Sequence, residues 1–208
     1  MAKYTKKPDE IKLIAEGGKR LGDILHRTAE LARPGISTAE LNAFVEKEIR
    51  SVGGIPSFIG YGPKNNPYPA GLCVSVNDVV VHGIPSEKEI LKEGDIVGLD
   101  IGMEYKTFFT DTAITVPVGK IDPVAAKLIE VTKKCLSEAI KVARPGNRTG
   151  DIGNKIQTTA EAAGFSVVRD LVGHGVGYAV HEDPSVPCYG RKGTGVELVP
   201  NMVIAIEP

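Results

Sequence analysis

The stretch Ala32-Arg33-Pro34-Gly35-Ile36-Ser37-Thr38 returns 111 residues later as Ala143-Arg144-Pro145-Gly146-Asn147-Arg148-Thr149. At the same offset Leu25 aligns with Leu136, Glu40 with Asp151, Leu41 with Ile152 and Gly53 with Gly164. Each copy reads as a helix, a Pro-Gly stop, a second helix, a glycine and then a strand. Proline disfavours helix in the residue before it, and glycine accepts the positive φ that ends a helix. The first helix carries Ile14, Leu21, Ile24, Leu25 and Leu31 at helical spacing in copy one, and Leu128, Val131, Cys135, Ala139 and Val142 in copy two. The second helix of copy one opens on Ser37-Thr38-Ala39-Glu40, a capping-box pattern, and its apolar stripe is Leu41, Phe44, Val45, Ile49 and Val52. Five identities in seven positions, followed by matching patterns, are better explained by duplication than by chance recurrence of a helix stop. Two related α/β halves are expected, about residues 8–118 and 119–208, within a single domain over 1–208.

Outside the repeat the composition is ordinary. The 208 residues are 42% apolar and 25% charged, which argues against wholesale disorder. Twenty-five basic against 26 acidic residues leave a net charge of −1, so neither nucleic acid nor an anionic membrane has electrostatic support as a partner. With 24 glycines and 14 prolines, many tight turns are expected. Cys73, Cys135 and Cys188 are odd in number, far apart and without a CxxC, which speaks against a disulfide framework and for a reducing compartment. The N-terminus, Met1-Ala2-Lys3-Tyr4-Thr5-Lys6-Lys7, leads into a charged segment with no apolar core of a signal peptide. No run approaches the ~18 apolar residues of a membrane span. A soluble cytoplasmic protein is expected.

Strands are predicted over 72–81, 96–103, 107–118 and 203–206, with residues 60–69 forming a long loop. Residues 96–103 and 107–118 read as a hairpin. With Tyr105-Lys106 as a two-residue turn, opposed residue numbers add to 211, and Asp100 faces Asp111 directly. Opposed side chains lie about 5 Å apart at Cβ, where like charges repel. Asp100 also sits in an apolar strand that raises the cost of its charge. A divalent cation would convert that repulsion into ligation. A shared proton, or a hydrogen bond to a turn, are the alternatives.

Four histidines are present. His26 lies on the first helix and receives no role. His82 follows Val79-Val80-Val81 and precedes Gly83-Ile84-Pro85, which puts it at a strand end. His174 stands in Gly173-His174-Gly175-Val176-Gly177, where glycines on both sides let the backbone approach closely and aim the ring. His181-Glu182-Asp183-Pro184 follows seven residues on, and the glycines exclude an HExxH helix. Glu207 ends the apolar run Ile204-Ala205-Ile206, an expensive place for an unpaired charge. A salt-bridged strand terminus is its other reading.

Taken together, Val80 to Pro85, Gly94 to Asp100, Thr110-Asp111-Thr112, Gly173 to Gly177, His181 to Pro184 and Ala205 to Pro208 closely resemble type I methionine aminopeptidases, a family whose pita-bread fold is shared with prolidases and creatinase. The resemblance runs from about residue 8 to the end. It implies an α+β fold of two pseudo-symmetric α/β halves around a curved antiparallel sheet, here with the C-terminal strands missing. It also implies two divalent metal ions, of Co, Mn, Fe or Zn. Asp100 would bind one, Asp111 would bridge both, His174 would join at one, and Glu207 would add a carboxylate. A hydroxide shared by the metals would attack the scissile carbonyl, with Glu207 carrying its proton to the leaving amine. His82 and His181 match the pair that contacts substrate and stabilises the oxyanion.

The methionine pocket maps onto Tyr61, Tyr68 and Cys73, with Phe58 beside them, while Val180 stands where relatives often carry an aromatic residue. The implied substrate is the N-terminal methionine of nascent polypeptides near the ribosome, and a monomer is expected. The family continues past Glu207-Pro208 by some tens of residues, including a strand and a further bridging glutamate. Incomplete metal binding and impaired activity are therefore expected of the chain as written. A non-catalytic binding module on the same scaffold is the alternative. A prolidase-like Xaa-Pro peptidase is disfavoured, because those relatives usually carry an extra N-terminal domain. The 32 residues between His174 and Glu207 leave no room for the insert of type II relatives.

Overall fold

The computed structural model describes residues 4–208, and the chain start at Met1, Ala2 and Lys3 lies outside them. Its elements run α1 (Pro8–Leu31), α2 (Thr38–Ser51), β1 (Ile55–Pro56), β2 (Leu72–Val76), β3 (Ile96–Tyr105), β4 (Phe108–Pro117), α3 (Pro123–Val142), α4 (Thr149–Ala162), β5 (Val172–Gly175) and β6 (Glu182–Pro187). The chain divides into two compact units, Lys12–Ala126 and Lys127–Pro208, the latter joined by the N-terminal residues up to Ile11.

In the Lys12–Ala126 unit, β3 is the central strand of an antiparallel sheet. It pairs with β1 and β2 along one edge and with β4 along the other. Alternation does the sorting. Val97, Leu99, Ile101, Met103 and Tyr105 are buried. They pack with Leu21, Ile24 and Leu25 of α1 and with Leu41, Val45 and Ile49 of α2. Each fully buried aliphatic side chain is worth about 1.5–3 kcal/mol. The intervening residues Gly98, Asp100 and Gly102 must then take the opposite face. In the other unit Cys135 and Ala139 of α3, Ile152, Ile156 and Ala160 of α4, and Val186, Cys188 and Leu198 form a separate core beside the β5–β6 pair.

The repeat is visible in the backbone of each unit. Gly35 and Gly146 take φ of +95° and +91°, and Gly53 and Gly164 take +79° and +88°. The Gly35 N–H donates to the Leu91 carbonyl (2.8 Å) and the Gly146 N–H to that of Leu198 (3.0 Å). Ser37 forms the expected capping box. Its Oγ accepts from the Glu40 N–H at 3.1 Å, and Glu40 Oε2 accepts from the Ser37 N–H at 2.9 Å. In the second copy Arg148 replaces the serine, and the reciprocal bond remains, from the Arg148 N–H to Asp151 Oδ2 (2.8 Å).

Three expectations are corrected. The hairpin turn is Lys106-Thr107, with φ of 50° and 69°, so Tyr105 pairs with Phe108 and opposed numbers add to 213. Positive φ at both central residues is the I′ geometry that suits strand twist. Tyr105 is held in the strand because its ring is buried in the core and its hydroxyl donates to Glu16 Oε1 (2.8 Å). Moving the turn by one residue moves the register by two, so Asp100 and Asp111 keep the same face while ceasing to be directly opposed.

The second correction concerns β2, which ends at Val76, well short of Val81. Asn77 takes φ of 51° and its Oδ1 accepts the Ile96 N–H at 3.0 Å, after which Val79 to Val81 are exposed. Third, residues 203–206 form no continuous strand. They pair with β5 through the bridge Gly175–Ile204 and the reciprocal bonds of His174 and Ala205.

Glu16 also accepts from Lys106 Nζ and Arg20 Nη2, both at 3.0 Å. These donors, Lys106 first, then Tyr105 and Arg20, hold its carboxyl at about 2, well below the ordinary 4.5. A depressed folded-state pKa stabilises the fold above the ordinary value and loses that contribution as pH falls through the folded one. Urea melts of Glu16→Gln and the parent chain should therefore differ most above pH 4.5 and converge as pH approaches 2.

Candidate metal centre

In the Lys12–Ala126 unit, Asp100 lies between Cys73 of β2 and Ala113 of β4. One step along the same face, Asp111 stands opposite Gly102. The two carboxylates are diagonal neighbours, a relation in which Cα atoms lie roughly 7–8 Å apart and side chains still converge. Asp100 Oδ1 is withdrawn from solvent. A Cβ added at Gly102 would stand 2.5 Å from Phe58 Cε1 and 2.4 Å from Ser57 Oγ, so the Phe58 ring lies over this glycine.

Tyr68 turns its hydroxyl to the Gly83 carbonyl (2.7 Å), with that of Leu72 at 3.0 Å. Burial pushes the Tyr68 hydroxyl far above its ordinary range, with Cys73 and the Asp100 charge adding to the effect. Burial likewise pushes the Cys73 thiol up to about 12, and the charges of Asp100 and Asp111 add to it while the Tyr68 hydrogen bond opposes them. Phe58, Tyr68, Cys73, Asp100 and Asp111 thus share one wall.

Tyr61 is half exposed in the preceding loop. Its N–H donates to the Phe58 carbonyl (3.0 Å), and its own carbonyl accepts from the Tyr68 N–H (2.7 Å). His82 lies beyond the end of β2, exposed and with φ of 57°. Its neighbour Gly83 is clamped to that strand: the Val74 N–H donates to its carbonyl at 2.9 Å, and its N–H donates to Ser75 Oγ at 3.2 Å. A Cβ at Gly83 would meet the Val74 carbonyl oxygen at 2.0 Å. His82 is therefore fixed beside β2, having been expected at the tip of it.

In the other unit the buried His174 sits in β5 with its Nδ1 2.8 Å from the Gly175 carbonyl. A carbonyl only accepts, so Nδ1 carries a hydrogen and Nε2 is the ring nitrogen turned to another partner. That nitrogen faces Glu207 Oε1 at 3.3 Å. A proton on Nε2 makes the contact an ion pair, and a cation between the two atoms would take the place of that proton. An imidazole whose second nitrogen donates to a backbone carbonyl is also the usual arrangement of a metal-ligating histidine. Glu207 is brought here by the pairing of Ala205 with His174 (2.7 and 3.2 Å), and its carbonyl accepts from Cys188 Sγ at 2.9 Å. His181 is exposed, its ring centre 4.2 Å from that of His174 at an interplanar angle of 63°.

In the Lys12–Ala126 unit the donors are the carboxylates of Asp100 and Asp111, and in the other unit a carboxylate and an imidazole, Glu207 and His174; each pair is of a kind that divalent Mn, Fe, Co and Zn accept. Gly102 and Cys188 were not singled out from the sequence. The cradle at Gly102 was foreshadowed only by a glycine inside a strand, and nothing local marked Cys188.

Residues 12–208 match metallopeptidase family M24, and the chain belongs to that family. Within it, the methionine aminopeptidase of Clostridium perfringens is 48% identical over 204 residues, covering 98% of this chain and 80% of the relative. The crystal structure of a methionine aminopeptidase from Thermotoga maritima superposes with a TM-score of 0.93 at 41% identity, over 97% of this chain and 80% of that one. A prolidase from Pyrococcus horikoshii shares the fold, with a TM-score of 0.82 at 24% identity, over 99% of this chain and 55% of that one. The fold is the pita-bread fold.

Gly102→Ala should displace the Phe58 ring and cost about 1–3 kcal/mol in a denaturant melt, as overpacking does. An unchanged midpoint would mean that the ring does not rest on this glycine.

Proposed function

We infer that this chain is a metal-dependent aminopeptidase that removes the N-terminal methionine from nascent proteins. The observation that carries this reading is the 48% identity to a methionine aminopeptidase over 98% of the chain. The two donor sets add the chemistry such an activity needs. In this proposal Asp100, Asp111, His174 and Glu207 hold two divalent ions. Those ions would supply Lewis acidity toward the scissile carbonyl. The remaining work belongs to side chains. Glu207 carries a proton from the attacking water to the leaving amine. His82 and His181 contact the peptide and donate to the oxygen where charge develops.

Tyr61, Tyr68, Cys73 and Phe58 receive the methionine side chain. The wall that Phe58, Tyr68 and Cys73 form is apolar and polarizable, which suits a thioether with little hydrogen-bonding capacity. Among the described residues no helix is long and apolar enough to cross a membrane. The three cysteines are free and buried, which supports work in the reducing cytoplasm. We assign the enzyme there as a monomer, on chains leaving the ribosome, where initiator methionine is first available.

Two measurements test this reading. Metal analysis and a Met-Ala-Ser peptide, with an Xaa-Pro peptide as control, should show bound divalent metal and release of methionine from the first substrate alone. Retention of neither metal nor activity would point to a binding module, and cleavage of the Xaa-Pro peptide to a prolidase. Metal that binds only the folded chain should raise its stability by about 2.7 kcal/mol at 100 times its dissociation constant, and Asp111→Asn should abolish most of that gain while leaving the metal-free melt unchanged. His82→Ala should lower turnover by about 10²–10⁴-fold with metal content intact. Loss of metal in that variant would assign His82 to the ligands instead.

A further inference from the structure

His181 ends the turn that joins β5 to β6, and its neighbour Glu182 closes that turn. Glu182 Oε1 accepts from the backbone N–H groups of Tyr178 and of Ala179, the latter at 2.9 Å. The other oxygen, Oε2, is met by the ammonium of Lys6 at 2.5 Å. Lys6 is only 3% exposed, and its Nζ also stands 4.1 Å from the centre of the Tyr178 ring. The Tyr178 hydroxyl donates to Glu10 Oε2 (2.5 Å) in the first turn of α1. Lys6 itself is anchored through its backbone N–H to the Asn201 carbonyl (2.8 Å), next to the bridge between Thr5 and Met202. A short N-terminal strap thus grips the turn that carries His181.

None of these four side chains has a part in the activity proposed above. A buried ammonium is costly to desolvate and is kept only where its partner is well placed. Lys6 has its carboxylate, and that carboxylate in turn gathers two N–H groups of one turn.

We propose that Lys6 is a positioning residue for His181, acting through Glu182. The inference rests on the role given to His181 in catalysis. With the ammonium present, Glu182 is held where it ties the Tyr178 and Ala179 N–H groups together, and the turn presents the His181 ring against that of His174. Without it, the carboxylate swings toward water, the turn opens, and His181 leaves its place. Misplacement of a catalytic group by about 1 Å costs on the order of 100-fold in rate.

Lys6→Met keeps the unbranched stem and removes the charge, and Lys6→Arg keeps the charge. In metal-free protein labelled at histidine, side-chain NMR follows the rings of all four histidines. Lys6→Met should shift or broaden the His181 signals and leave those of His26 and His82 in place, and Lys6→Arg should restore them. A folded Lys6→Met variant with an unchanged His181 spectrum overturns the proposal. In the peptide assay, Lys6→Met should lower kcat by about 10–100-fold while KM moves little, and should cost nothing further in a His181→Ala background. An equal loss in both backgrounds would make Lys6 a structural residue and overturn it likewise. Should Lys6→Met fail to fold, Glu182→Gln is read in the same two ways. If the parent chain releases no methionine, the catalytic reading fails, while the NMR measurement still decides whether Lys6 orients His181.

Discussion

The period of two along β3 is the constraint on which the first unit depends. Its odd-numbered residues from Val97 to Tyr105 must be buried against α1 and α2, and the stabilisation from their burial sets the register. A slip by one residue would drive Asp100 into that core, where an ionised carboxylate without compensation is prohibitively expensive. The same alternation lays Gly98, Asp100 and Gly102 along the opposite face. Hydrophobic packing on one side of a strand therefore aims the carboxylates on the other. Chemistry and stability are two faces of one pattern.

A comparable economy governs the second unit. The Gly175 carbonyl fixes the tautomer of His174, and the reciprocal backbone bonds between His174 and Ala205 bring Glu207 alongside the ring. Gly173 permits this approach, since a Cβ there would meet the Ala205 carbonyl oxygen at 2.4 Å. Gly175 answers to the same constraint, since a Cβ there would meet the Asp183 carbonyl oxygen at 2.3 Å, so both glycines flanking His174 are explained by close backbone contact.

Much of this was legible in the sequence, and the failures have identifiable causes. The helices, their Pro-Gly stops and the Ser37–Glu40 box are local signals, and the structure holds them where the pattern put them. The motifs around His82, Asp100, Asp111, His174, His181 and Glu207 carried the family resemblance, which the match to M24 over residues 12–208 supports. The hairpin turn was misread because Lys106-Thr107 lacks the usual Asn-Gly signature, and its place depends on Glu16, 89 positions before Tyr105. The run Val79-Val80-Val81 looked like strand by composition alone, whereas Asn77 and its bond to Ile96 end the strand earlier. Lys6 and Glu182 are 176 residues apart, beyond the reach of any local rule.

The chemical state of the sulfur atoms has one more consequence. Cys73, Cys135 and Cys188 are all buried, and burial raises all three thiols, to about 12 at Cys73 and about 11 at Cys188. Thiolate, the nucleophile that attacks peroxides and disulfides, is scarce at such sites near neutral pH. Cys73 can therefore lend a soft surface to the wall beside Asp100 without becoming a point of oxidative damage. In the folded chain its sulfur serves as packing material, and alkylating reagents would report chiefly on how often the protein opens.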